Sequence, residues 1–201
     1  MQIEIQELIG FNSVGKSKNK KQILLTHTSR TAPDYISSLR HRYNGEYTKL
    51  PHFLIRKDGR IFQFIPTDTY SNLLEDSKNF KQVIVITLEN LGWLKKNPLN
   101  ASYINWIGNI YKEGVYERKW RGHFFWDPYT GEQIESLKNL CVSLCEEYDI
   151  PKTIVGHNVK IDGIERYVGI ATNSNYTTTV TDLSPAFDFE EFEKIFENEL
   201  L

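Results

Sequence analysis

Val83 to Glu89 reads VIVITLE, with β-branched residues at five successive positions and no glycine or proline to break the run. Apolar on both faces, it predicts a strand buried in the middle of a sheet, and it decides the fold class. A second short apolar run, QILLT from Gln22 to Thr26, ends at His27. It reads as another buried strand, one that carries the histidine at its end.

Helical signals surround these strands. Thr31 with Asp34 three positions on resembles a capping box, and Pro33 is tolerated in a first turn. Ile36, Leu39 and Tyr43 follow at helical spacing before Asn44 and Gly45 end the pattern. HFLIRKDGRIFQFIP, residues 52–66, alternates on both sides of Asp58 and Gly59, which predicts a hairpin whose Asp-Gly pair takes the positive φ angles of the turn. Thr130 and Gln133 open a helix over about 131–149 with one apolar face, Ile134, Leu137, Leu140, Cys141, Leu144, Cys145 and Tyr148, and Pro151 closes it. TIVG then reads as a short strand running into His157, and Asp188 and Glu191 announce a last helix containing Phe192, Ile195 and Phe196. The sum is an α/β chain: a single domain with a central mixed β-sheet flanked by helices, with neither an internal repeat nor a linker.

Residues 92–130 stand apart, holding all four tryptophans, Trp93, Trp106, Trp120 and Trp126, together with six more aromatics and no clean periodicity. We read them as an aromatic-rich insertion. Such a segment forms either a second small core or a surface for sugar rings or a protein partner.

Composition narrows the function. The chain has 201 residues, 40% of them hydrophobic and 25% charged, with a formal net charge of -2. A near-balanced charge predicts no nucleic-acid partner, since that would favour a clustered basic face, and the run Lys16 to Lys21 reads as a solvated loop. The opening MQIEIQELIG has no basic segment followed by an apolar run, and no 18-residue apolar stretch occurs. The expectation is a chain without a signal peptide or membrane insertion, cytoplasmic at synthesis. Cys141 and Cys145, four apart on one helical stripe, read as reduced core thiols.

Of five histidines, His27 and His157 follow strand-like runs, where a sheet converges side chains on one spot. Catalytic zinc takes three protein ligands and leaves a fourth position for water. An acidic third ligand is wanted near the chain end, and the residues alone leave Asp182, Asp162 and Asp188 open.

The order of ILLTHTS, PHFLIRKDGRIFQFIP, VIVITLEN, YTGEQIESLKNLCVSLCEEYDIP, IVGHN and TDLSPAFDFEEF resembles the type 2 N-acetylmuramoyl-L-alanine amidases. That family includes phage endolysins and bacterial cell-wall amidases and is related to the peptidoglycan recognition proteins. The resemblance implies a zinc hydrolase, and the expected lack of a signal peptide suits either a phage-encoded protein, acting on the cell wall after release or as part of a virion, or a cytosolic recycling enzyme. It would cleave the amide bond between N-acetylmuramic acid and L-alanine, with peptidoglycan as its partner. The resemblance places zinc ligands at His27, His157 and Asp182 and sets His52, on the family's hairpin motif, beside the site; Trp120 and Trp126 are candidate substrate-binding residues from the aromatic segment and not from the resemblance.

The chain departs from the family where a lysine two residues before the last ligand is replaced by Val180, and where a strand glutamate and a tyrosine before the hairpin histidine are replaced by Thr87 and Pro51. Glu89, two residues along and so on the face of Thr87, is the substitute general base. Zinc itself, or a donor such as Thr181 or Lys160, would then hold the oxyanion. The alternatives are a non-catalytic peptidoglycan binder and a virion structural protein that uses residues 92–130 as its contact with another protein.

Overall fold

The computed structural model describes residues 2–5, 15–42, 49–74 and 76–197, with side chains in the last helix described to Lys194. Tyr43, Asn44 and Gly45, and the side chains of Ile195 and Phe196, lie outside the described residues.

Strands β1 (Ile3–Ile5), β2 (Gln22–His27), β3 (Phe53–Ile55), β4 (Ile61–Gln63), β5 (Val83–Leu88) and β11 (Gly169–Thr172) form a mixed sheet in the order β1-β4-β3-β5-β2-β11. β5 is interior, parallel to β2 on one side and to β3 on the other. Its ladder with β2 pairs Gln22 with Val83 through to His27 with Leu88. Both strands are buried along their whole length, because helices cover the two faces of the sheet.

Side-chain alternation divides the core. Ile23 and Leu25 of β2 and Ile84, Ile86 and Leu88 of β5 face the long helix α2 (Gly131–Tyr148). Leu54 and Phe62 face α1 (Ala32–His41) instead, against Tyr35 and Leu39. Both helices start as their sequences predict. The Thr31 hydroxyl accepts from the Asp34 amide at 3.3 Å, and that of Thr130 from the Gln133 amide at 3.2 Å, each satisfying an amide that the helix itself leaves unpaired. Gln133 is wholly buried, and its amide donates to the carbonyls of Ile55 and Glu89, which ties α2 to the ends of two strands. Cys141 and Cys145 are buried, reduced and part of the α2 core.

Three local readings change. In the β3–β4 hairpin the Gly59 amide bonds the Arg56 carbonyl, and only Gly59, not Asp58, has a positive φ, of 79°. TIVG contributes one isolated bridge, Ile154 to Ile170, and the strand beside β2 is β11. Lys20 is buried rather than solvated: its ammonium donates to the carbonyls of Thr69, Lys81 and Val83, and burial pulls its pKa down to about 8 despite Asp68 nearby.

The aromatic segment has order that its sequence hides. Strands β6 (Trp93–Lys96), β7 (Tyr103–Ile104), β8 (Ile110–Tyr111), β9 (Tyr116–Trp120) and β10 (His123–Trp126) form a second, antiparallel sheet in the order β8-β7-β6-β10-β9. Leu91, Leu94 and Tyr111 make its small core, with Phe125 and Tyr103 against them. Its two ends are pinned together: the Asp127 amide donates to the Gly92 carbonyl at 3.0 Å and the Leu91 amide to the Asp127 carboxylate at 2.7 Å. The other carboxylate oxygen of the fully buried Asp127 pairs with the Lys57 ammonium from the β3–β4 turn. The short helices α3 (Asn173–Tyr176) and α4 (Phe189–Glu197) complete the chain, and the Asp188 carboxylate accepts from the Glu191 amide at the start of α4. Among the described residues no helix is long and apolar enough to cross a membrane.

Candidate active site

His27 closes β2 opposite Leu88, so its side chain leaves on the α2 side of the sheet. There its Nδ1 meets the hydroxyl of Tyr129, the residue before the Thr130 cap, at 3.1 Å. Tyr129 is fixed in turn by the Ser184 amide, which donates to its hydroxyl at 3.3 Å, and by an edge-on contact with Phe187. Burial holds the His27 pKa below its usual value, against the opposing pull of Asp182 and Asp127, so the ring is neutral at pH 7. Burial likewise raises the Tyr129 phenol, which keeps its proton. The contact between Nδ1 and Tyr129 fixes the ring with Nε2 turned toward Gly92.

The space before Nε2 is kept open by a missing side chain. Gly92 has φ of 73°, and a Cβ there would stand 3.2 Å from His27 Nε2 and 3.6 Å from Ser29 Oγ. Asp182 supplies the negative charge of this corner: it is buried, and its carboxylate accepts from the Asn173 amide group at 3.2 and 3.4 Å. Asn173 begins α3 directly after β11, so the parallel pairing of β11 with β2 brings Asp182 to the end of the sheet that carries His27. A cavity of about 330 Å³ opens here, lined by Ser29, Trp93, Arg121, His123, Thr179 and Asp182 among others. The Trp106 indole donates to the Ser29 carbonyl at 2.7 Å while 47% of its surface stays exposed, so the second sheet forms a wall of the cleft.

His157 does not join this corner. It is exposed, its Nδ1 accepts from the Val159 amide, and it lines another cavity of about 450 Å³ with Tyr116, Phe187 and Asp188. Among the described residues no three of His, Cys, Asp and Glu stand together as a metal-holding group. The donors His27 and Asp182, and the opening left by Gly92, suit a zinc ion in kind. The position of His157 leaves that set one ligand short.

Three expected site residues have other work. Glu89 is placed, as expected, on the face of Thr87, but that face is the one covered by α1 and not the one His27 uses. Its carboxylate accepts from the Ala32 amide at 2.6 Å and from the Lys57 amide at 3.1 Å, with the Arg56 guanidinium at 3.6 Å. It therefore holds the start of α1, where free amides and the helix dipole favour an anion. His52 is wholly buried, its Nδ1 accepting from the Val85 amide and its Nε2 donating to the Thr69 carbonyl, both at 2.9 Å. Trp126 is also wholly buried, its indole donating to the Arg118 carbonyl at 2.7 Å. Neither can touch a substrate. Trp120 is half-buried at the end of β9, beside Arg121.

The residues that the sequence did not single out are Tyr129 and Arg121. Tyr129 precedes a cap, and only the folded chain sets it against His27. Arg121 had a usable signal, an Arg-Gly pair between two aromatic runs, which reads as a two-residue hairpin turn.

A mixed sheet with helices on both faces and a histidine at the end of a central strand defines the amidase and peptidoglycan-recognition-protein class of α/β fold. The profile of the N-acetylmuramoyl-L-alanine amidase family matches residues 17–174, and the chain belongs to that family. Among solved structures, the chain is similar to the N-acetylmuramoyl-L-alanine amidase LysC from Clostridium intestinale, with a TM-score of 0.58, 16% identity and 98% of each chain covered. It is similar also to the amidase AmiD from E. coli in complex with an anhydro-muramyl peptide substrate, with a TM-score of 0.54, 14% identity and coverage of 92% of this chain and 60% of that one. Peptidoglycan recognition protein-LE in complex with tracheal cytotoxin gives a TM-score of 0.53 at 12% identity, over 96% and 92% of the two chains. A search of curated proteins finds no match to the sequence.

Proposed function

We propose that the chain hydrolyses the amide bond between N-acetylmuramic acid and L-alanine in peptidoglycan, with zinc held by His27 and Asp182 and its ligand set completed by His157, which has to move in from the separate cavity it lines here. The observation that carries this is the pairing of a neutral, oriented histidine with a buried aspartate in an open cleft at the end of a family-typical sheet. The cell-wall ligands named for AmiD and recognition protein-LE support peptidoglycan as the partner. Zinc, when bound, polarises a carbonyl and acidifies a water molecule. The chain's own residues prepare the site. Tyr129 holds the ring of His27 with Nε2 toward Gly92, Asn173 orients Asp182, and Trp106 ties the second sheet to the Ser29 carbonyl at the cleft's edge.

A second reading, muramyl-peptide binding without cleavage, is favoured by one observation: the only acidic residue of β5 and its end, Glu89, is turned away to α1. Release of free N-terminal alanine from purified cell walls, measured beside zinc stoichiometry, decides between the two. We expect one zinc per chain and alanine release, both lost in His27→Ala and most of the metal lost in His157→Ala. Full zinc occupancy with no alanine from any cell wall would hand the chain to the binding reading, and full occupancy in His157→Ala would remove that residue from the ligand set.

A further inference from the structure

Arg121 occupies a costly position. Strands β9 and β10 are joined by the two residues Arg121 and Gly122, with φ of 47° and 82°, and Trp120 pairs with His123 across them. This is the tight turn in which asparagine, aspartate or glycine is favoured, because a longer L side chain is strained at positive φ. A strained residue kept at a cleft is a reason to ask what its side chain does there. Here the guanidinium reaches from the second sheet across to the last ligand segment. It hydrogen-bonds the Val180 carbonyl and, at 3.3 Å, the Ser174 hydroxyl, and it lies close enough to Asp182 for that carboxylate to oppose the effect of burial on its pKa. Its plane is set by Trp120, whose ring centroid is 4.4 Å away.

The surroundings fit a single purpose. Among the residues lining the cavity, Arg121 is the one permanent cation, since burial and Lys95 hold His123 towards its neutral form. Nη1 donates to Val180 and Ser174 and Nη2, at 3.5 Å, to the Ser174 carbonyl, while among the described residues the Nε–H carries no hydrogen bond, so Nε–H and the second Nη2 hydrogen are the donors left for a ligand oxygen. We propose that Arg121, delivered by the β9–β10 turn, receives the negative charge that develops on the substrate carbonyl oxygen; this rests on the amide hydrolysis proposed above. As water adds to the carbonyl carbon, the π pair of the C=O bond moves onto oxygen, beside the guanidinium. When the C–N bond breaks, the pair returns, and the water's proton leaves with the alanine amine. A positioned cation of this kind acts in the transition state more than on bound substrate.

The test uses Arg121→Asn, which removes the charge but suits the positive φ of the turn, and Arg121→Lys, which keeps a point charge without the fork. With the wild type releasing alanine, we expect kcat in Arg121→Asn to fall by roughly 10²- to 10³-fold with KM changed less than about threefold. Added guanidinium should restore part of the rate, and Arg121→Lys should lie between the two. An unchanged kcat in Arg121→Asn, or a loss that guanidinium does not rescue while thermal unfolding stays at the wild-type temperature, overturns the proposal and leaves the amidase reading standing. If Arg121→Asn unfolds, the lysine variant and its kcat to KM split decide. A wild type that releases no alanine overturns the amidase reading itself, and this role with it.

Discussion

His52 makes the stability of the fold depend on pH in a way that can be worked out from its surroundings. Its ring is wholly buried, both nitrogens are engaged with backbone groups, and the Lys20 ammonium is nearby; burial first, then Lys20, bring its pKa down to about 3. The unfolded chain binds a proton at this histidine with a pKa of about 6.5, so below that pH the unfolded state takes up a proton that the folded state refuses. The contribution is therefore complete above about pH 6.5 and is lost as pH falls toward 3. Each pH unit in that window costs about 1.4 kcal/mol, or roughly 2 kcal/mol between pH 6.5 and 5. Denaturant unfolding of the wild type and of His52→Gln at pH 7.5, 6, 5.5 and 5 measures it. The variant will be less stable throughout, since the amide of glutamine meets one backbone partner and not both, but its slope with pH should be shallower by most of that 2 kcal/mol. Parallel slopes in the two proteins would refute a neutral, buried His52.

Glu89→Gln should lower stability by about 1 to 3 kcal/mol, because a carboxylate engaged with two backbone amides and facing Arg56 is lost. Its turnover per folded molecule should stay within about threefold of wild type, and a fall of two powers of ten at unchanged stability would return Glu89 to the chemistry. Trp126→Ala should cost on the order of 3 to 5 kcal/mol by chemical denaturation, since the ring is wholly buried. Trp106→Phe, which removes the donor to Ser29 and shrinks the half-exposed ring beneath Arg30, should leave stability within about 1 kcal/mol and weaken sedimentation with cell walls; equal wall binding would remove Trp106 from the wall-binding surface.

The interior strands and both capped helices were legible in the sequence because each carries its signal locally. VIVITLE and QILLT are apolar on both faces, and Thr130 with Gln133 marks a helix start without help from distant residues. β11 was not legible. GIAT is four residues long with a glycine and an alanine, and it becomes a strand by pairing with β2 across nearly 150 positions of sequence, from Gln22 to Gly169. The second sheet escaped for a related reason: β9, YERKW, is exposed along most of its length and is held by its partner strand rather than by an apolar face. At the site, Asp182 lies near His27, as the resemblance and not the spacing implied, whereas Glu89 stands on the other face, at the start of α1. The rule that residues two apart share a face held for Thr87 and Glu89. The sequence does not say which face α1 will cover.

The pinning of Leu91 and Gly92 to Asp127 means that the second sheet leaves the main fold and returns to it at a single point. Such an arrangement behaves as a plug-in unit: a chain cut after Leu91 and rejoined at Asp127 needs to span no more than the few ångströms between paired strands. Removing 35 residues this way would leave every strand of the first sheet in place, and the Lys57 and Asp127 pair with them. Trp93, Trp106, Arg121 and His123 would go together, so the walls of the cleft are inherited or exchanged as one cassette while His27 and Asp182 stay with the chassis.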